Sequence, residues 1–176
     1  LTNFIRYCEQ NEISFRTAID VGAWCGTWAK MMSEHCHKIV AFEPDPTHYE
    51  CLTKNVGMDV ETHQLAVGSE SKLISLNSDR HTQSKRVVGT GDIPMITLDS
   101  LQIEDADLIK IDVEGLEMQV LEGAKQTLNK AQFIMIELNN NSKKYGSSNG
   151  HIEEYLDSIG WKELMNHWPD KVFVKK

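Results

Sequence analysis

A short apolar strand that breaks into a glycine turn, followed by a second that stops at a lone acid, constrains this chain more than any other feature. The first is Thr17-Ala18-Ile19-Asp20-Val21, which runs into Gly22-Ala23-Trp24-Cys25-Gly26-Thr27. The second is Ile39-Val40-Ala41-Phe42, which ends in Glu43-Pro44. Glu43 falls roughly 20 residues after the first glycine, the spacing of a βαβ unit in which glycine lets the backbone approach a nucleoside and the acid accepts from ribose hydroxyls.

The glycines read Gly-x-x-x-Gly, with Asp20 two residues before the first. A dinucleotide calls for Gly-x-Gly-x-x-Gly, so that its pyrophosphate can sit on a helix N-terminus. An aspartate at the strand end would oppose that phosphate. It suits a ligand with an amino group and no phosphate, such as S-adenosylmethionine.

The rest of the chain alternates strands and helices. A helix with Phe4, Tyr7 and Cys8 on one face precedes the strand Arg16 to Asp20. Thr27 is placed to cap a helix carrying Trp28, Met31, Met32 and His35 at helical spacing. The strand Lys38 to Phe42 is followed by Asp45-Pro46, an N-cap with proline at the first helical position, and that helix buries Tyr49, Leu52 and Val56. Further strands are expected over Val60 to Val67, Lys72 to Leu76, Met95 to Leu98, Asp107 to Asp112 and Gln132 to Leu138. Helices are expected over Glu117 to Asn129 and around Ile152 to Ile159, then a hairpin from Trp161 to Met165 and Lys171 to Val174. Loops fill Asn77 to Asp92 and Asn139 to Gly150. This pattern predicts a doubly wound, mostly parallel α/β sheet with an antiparallel C-terminal hairpin.

At 176 residues and 40% hydrophobic content, the chain is sized for one domain, expected over residues 1–176. No apolar run reaches the ~20 residues that span a bilayer, and no leader is read at the start, so no membrane partner is expected. Four cysteines without a Cys-x-x-Cys pair predict a reduced, cytoplasmic protein. The formal net charge of −8 and the scattered basic residues argue against a nucleic-acid partner. His35-Cys36-His37 straddles a helix end and a strand start, so it is not a ligand set.

Ligands of open parallel sheets bind beyond the carboxyl ends of the strands. Those ends collect Asp20, Glu43, Ala66 with Val67, Asp112 with Glu114, and Glu137 with Asn139. Asp45 and Glu117 are read instead as helix caps. Asp112, Glu137 and Asn139 are also oxygen ligands of the kind a hard divalent cation takes. A metal is therefore allowed but not favoured.

On these residues the chain resembles the FkbM-type S-adenosylmethionine-dependent methyltransferases. The resemblance rests on Ile19-Asp20-Val21-Gly22-Ala23 with Gly26, on Ala41-Phe42-Glu43-Pro44, and on Ile96-Thr97-Leu98-Asp99-Ser100-Leu101. It extends through Leu108-Ile109-Lys110-Ile111-Asp112-Val113-Glu114-Gly115 and Val120-Leu121-Glu122-Gly123-Ala124. Trp24 departs from the family, which usually has Asn there. The resemblance implies that Asp20 and the Gly22-Ala23 backbone meet the methionine end, with Gly26 and Pro44 completing the two turns. It implies that Glu43 holds the ribose, that Ala66 and Val67 border the adenine, and that Asp112 faces the sulfonium. Asp112, Glu114 and Glu137 are then the candidate bases for a hydroxyl acceptor, expected to be a sugar, another glycan or a small natural-product-like molecule. Two other readings stand beside this one: a binding-only protein of the same fold, and an NAD-dependent oxidoreductase. The second lacks a Tyr-x-x-x-Lys pair, since no tyrosine has lysine four residues on.

Overall fold

The computed structural model describes residues 2–77 and 85–176. From the N-terminal side come α1 (Thr2–Gln10), β1 (Phe15–Val21), α2 (Thr27–Met32), β2 (Cys36–Phe42), α3 (Pro46–Asn55) and β3 (Val60–His63). Three strands follow, β4 (Ala66–Val67), β5 (Lys72–Leu76) and β6 (Val87–Ile96). The second half contains β7 (Ala106–Ile111), α4 (Glu117–Glu122), α5 (Lys125–Lys130), β8 (Phe133–Glu137), α6 (Asn149–Ser158), β9 (Trp161–His167) and β10 (Asp170–Lys175).

Seven strands form the main sheet in the order β3-β2-β1-β7-β8-β10-β9. The pairs β2–β3, β1–β2, β1–β7 and β7–β8 are parallel, and β8–β10 and β10–β9 antiparallel. The chain works outward from β1 to β3, then returns to lay β7 on the other side of β1. That reversal is the switch point where an open sheet leaves a crevice.

Strand residues alternate between two cores, as expected where both faces are covered. Ile19, Val21, Val40, Phe42, Ile109, Ile111, Ile134 and Ile136 pack on the side of α4, α5 and α6, with Trp161 and Phe173. Ala18, Ile39, Ala41, Leu108, Phe133 and Met135 pack on the other side with Phe4, Trp28, Met32 and Leu52. Each fully buried side chain of this size contributes about 1.5–3 kcal/mol. Among the described residues, no helix is long and apolar enough to cross a membrane.

Several boundaries depart from the sequence reading. Val60 to Val67 is two strands, not one: β3 edges the main sheet, while β4 joins a separate sheet of order β4-β6-β5. Of the expected loop Asn77 to Asp92, residues 87–92 belong to the strand β6, and the stretch 78–84 lies outside the described residues. Thr27 does not cap α2. Gly26 occupies the cap in a left-handed conformation with no side-chain bond, and Met31 is exposed. The expected helix Glu117 to Asn129 is broken at Gly123-Ala124. Asn139 to Gly150 contains a 3-10 turn over Asn141–Tyr145.

Candidate functional site

At the carboxyl ends of the parallel strands lies a cavity of about 240 Å³, just below the usual span of ligand pockets (~300–1,000 Å³). Four carboxyl side chains line it: Glu43 after β2, Asp112 and Glu114 after β7, and Glu137 at the end of β8. Gly22, Trp24 and Pro44 form part of its wall, with Ala66 and Val67 of β4 and apolar neighbours such as Leu65, Val113 and Leu116. The small sheet closes the cavity with Leu76 and Val87. The structure thus brings together most of the strand-end residues expected from sequence. Asp20, Ala23, Gly26 and Asn139 are not on the wall.

Asp20 is fully buried. The β1–β7 register sets it directly beside Lys110. Lys110 Nζ donates to Asp20 Oδ1 at 3.1 Å and to the Gly22 carbonyl at 3.2 Å, and lies 3.4 Å from Asp112 Oδ2. One ammonium therefore ties the strand-end acid, the glycine turn and a cavity acid together. Burial alone would lower its pKa, but the Asp20 and Asp112 carboxylates outweigh it and hold the ammonium above the ordinary lysine range. Burial pushes Asp20 upward, against the pull of Lys110. The other oxygen of Asp20 is buried without a hydrogen-bond partner.

Gly22 has φ +83°, and a Cβ there would collide with the main-chain carbonyl of Asp112. No other residue lets β1 turn so close to the end of β7. Two cavity residues that are not glycine, Trp24 (φ 49°) and Glu114 (φ 56°), also hold left-handed backbone. Each costs on the order of 1–3 kcal/mol, strain that concentrates at functional sites.

Glu43 is only 5% exposed. Its Oε2 accepts from the Trp24 N–H and its Oε1 from the Asp45 N–H, both at 2.9 Å. His48 Nδ1 lies 3.6 Å from Oε1. Burial pushes the Glu43 carboxyl up to about 7 against the pull of the two amides. Asp45 caps α3 by accepting from Thr47 and His48 N–H groups, as the sequence indicated. Glu117, in the first turn of α4, accepts from the Gly115 N–H at 2.8 Å.

Asp112 and Glu137 lie on the same cavity wall, close enough for the Asp112 carboxyl to act on Glu137. Burial first, then the neighbouring Asp112, push Glu137 up to about 8. Asn139 donates to Glu137 at 3.2 Å, and Asn141 donates to Glu114 at 2.7 Å. Burial and the Asp112 charge raise Glu114 as well. Such a set can accept hydroxyl hydrogens, face a cation and take up a proton near neutral pH. No group of three His, Cys, Asp or Glu among the described residues is arranged to hold a metal.

The raised carboxyls predict a pH effect on stability. Glu43 and Glu117 titrate at about 7 and Glu137 at about 8 in the folded protein, against 4.5 for a free glutamate. The folded state therefore binds more protons than the unfolded chain across that window, so stability falls as pH rises through it. The Tm is expected to be lower at about pH 8 than at about pH 5, and Glu137→Gln to flatten the slope. A slope unchanged in that variant would remove Glu137 from the set.

Two cavity features escaped sequence reasoning. Lys110 announced itself only as a lone charge within Leu108-Ile109-Lys110-Ile111, a strand otherwise apolar. His48, buried on the cavity wall, carried no signal, since it falls in an ordinary amphipathic helix.

The chain matches the family described as Methyltransferase FkbM domain over residues 17–163. The hexuronic acid methyltransferase AglP of Haloferax volcanii is 29% identical over 130 residues, 68% of this chain and 54% of that protein. Methyltransferase FkbM from Methylobacillus flagellatus superposes with a TM-score of 0.66 at 16% identity, over 91% of this chain and 43% of that one. A Streptococcus pneumoniae protein in complex with S-adenosyl-L-methionine superposes with a TM-score of 0.57 at 12% identity, over 93% and 67% of the two chains. The present chain thus spans about half the length of the curated relative it matches.

Proposed function

The chain belongs to the FkbM methyltransferase family, and from that premise we propose that residues 1–176 act as one methyltransferase domain. In this reading the cavity binds S-adenosyl-L-methionine and directs its methyl group to a hydroxyl of a sugar or small-molecule acceptor. One observation carries it: a buried carboxylate at the end of β2 faces, across a glycine turn, an acid cluster at the ends of β7 and β8. The donor set suits this ligand. Four carboxyls against a single lysine, Lys85, among the described residues of the wall leave the slot acidic, which favours a ligand with positive charge and hydroxyls over a pyrophosphate.

Glu43, held by two backbone amides, is placed to accept from ribose hydroxyls. Ala66 and Val67 offer the flat apolar surface an adenine ring needs. Asp112, braced by Lys110, faces the positive end of the donor, while Asp20 acts from beneath through Lys110 and the Gly22 carbonyl. When bound, the donor supplies a methyl group already activated on a positively charged sulfur. The protein's remaining tasks are alignment and removal of the acceptor proton. Glu137, whose carboxyl is pushed up to about 8 by burial and the neighbouring Asp112, is suited to that removal, and Glu114 is held nearby by Asn141. The hexuronic acid acceptor named for the Haloferax protein supports a sugar as substrate.

Calorimetric titration with S-adenosyl-L-methionine and with NAD, followed by transfer of a labelled methyl group to sugar acceptors, tests this reading. The adenosyl ligand should bind and NAD should not; the reverse result would overturn the assignment. Glu137→Gln should slow transfer by about 10²–10⁴-fold, the span for losing a general base, and spare donor affinity. If Glu137→Gln turns over normally while Glu114→Gln does not, the proton passes to Glu114 instead.

A further inference from the structure

Beside the acid cavity lies a second, more open cleft of about 320 Å³, lined by Asn77, Arg86, Val87, Val88, Lys144 and Tyr145. Its charge is opposite to its surroundings. The chain carries a formal net charge of −8, the main cavity is lined with acids, and yet this cleft offers a guanidinium and an ammonium.

The two cavities share a wall. Val87 lines both. Tyr145 donates its hydroxyl to the Val87 carbonyl at 2.8 Å, and its ring lies where a Cβ on Gly115 would fall. Asn141 joins the sides electrostatically: its amide nitrogen donates to Glu114 at 2.7 Å, and its oxygen accepts from Lys144 Nζ at 3.2 Å. The Arg86 main-chain N–H is fixed by Asn77 Oδ1 at 2.7 Å, while among the described residues its guanidinium forms no ion pair. Arg86 is nevertheless close enough for its charge to act on both Glu114 and Tyr145.

We infer that this cleft is the acceptor's anion site, taking the carboxylate of an acidic sugar on Arg86 and Lys144 while a hydroxyl of the same molecule reaches the acid cavity over Val87. The inference rests on the reading of the main cavity as the transfer site. A planar carboxylate matches the forked donors of a guanidinium, and Lys144 adds a second positive charge to the same cleft. Tyr145 and Val88 supply the ring and apolar surface that a sugar's carbon face packs against. A neutral acceptor would leave both cations unused, so the cleft selects by charge what the acid cavity cannot.

The test titrates the full chain with D-glucuronate, glucose 6-phosphate and glucose, followed by NMR chemical-shift perturbation. Glucuronate should bind at least about tenfold more tightly than glucose, and Arg86→Gln and Lys144→Gln should each remove about three- to tenfold of that advantage. Glucose and S-adenosyl-L-methionine affinities should not change in either variant, and the glucuronate preference should shrink with added salt. Equal affinity for glucuronate and glucose, or a uniform loss of both in Arg86→Gln, overturns the site. Tighter binding of glucose 6-phosphate than of glucuronate overturns the carboxylate assignment in favour of a phosphate. Failure of the unmodified protein to bind S-adenosyl-L-methionine would sink the reading of the main cavity, while the glucuronate titration would still decide this one.

Discussion

Lys110→Met is expected to lower the stability of the protein by about 3–5 kcal/mol, the span for leaving one member of a buried ion pair without its partner. The methionine fills the space of the lysine stem, so lost packing is a minor part of the effect. What remains is Asp20, fully buried, with no cation beside it and one oxygen already without a partner. The Gly22 carbonyl also loses its donor. Burial then raises Asp20 further, so the deficit grows with pH and shrinks as pH falls toward the unfolded value of 3.8. Denaturant titration at two pH values measures both. Replacing Asp20 with Asn in the same background removes the stranded charge and should recover part of the loss. A loss below about 1 kcal/mol in Lys110→Met would mean that Asp20 is already held neutral without the lysine.

Glu43→Gln is expected to weaken S-adenosyl-L-methionine binding by about ten- to a hundredfold, corresponding to the ~1.5–3 kcal/mol of hydrogen bonds to a charged acceptor. Glutamine is the informative replacement. Sequence alone suggests that an acid at a cleft can be truncated freely, but Glu43 is buried and is the acceptor for the Trp24 and Asp45 amides. Alanine would strand both N–H groups, whereas glutamine keeps an oxygen for one of them and turns its NH2 toward the other, so the Tm of the variant is read beside its affinity. In the unaltered protein the same contact should weaken as pH falls through about 7, where Glu43 gains its proton. Calorimetry across that range reads it directly. Donor affinity that is unchanged in a folded Glu43→Gln protein would place the nucleoside elsewhere.

Strands buried on both faces were legible because β1, β2, β7 and β8 each hold a short, mainly apolar run that leads to an acid or a turn. Glu43, Asp112, Glu114 and Glu137 could be gathered from those ends because a parallel sheet brings like ends to one edge. Breaks that depend on distant partners could not be read. The helix after Gly115 stops at Gly123, where a side chain would strike the Gly68 main chain. It restarts at Lys125 because Asp99, remote in sequence, accepts from the Gln126 and Thr127 N–H groups and the Thr127 hydroxyl. Val60 to Val67 looked like one strand because its composition does not reveal that Ala66 and Val67 pair with Met95 and Ile96. Lys110 was visible as a residue, but its role depends on a register with Asp20 that only pairing across β1 and β7 supplies.

The position of β10 between β8 and β9 sets a timetable for synthesis. β9 is translated first, yet its ladder partner is β10, and β8 waits for the same strand on its open side. On a ribosome adding ~5–20 residues per second, β1 to β8 can assemble while β9 emerges with nothing to join. During that interval β8 presents a bare, apolar edge to every other nascent chain nearby, the kind of edge that invites mispairing. The Leu138 N–H also lacks its acceptor, the Pro169 carbonyl. The wall bearing Glu137 is therefore completed only once β10 has been added beside β8, and a chain stopped between β9 and β10 would lack that side of the cavity.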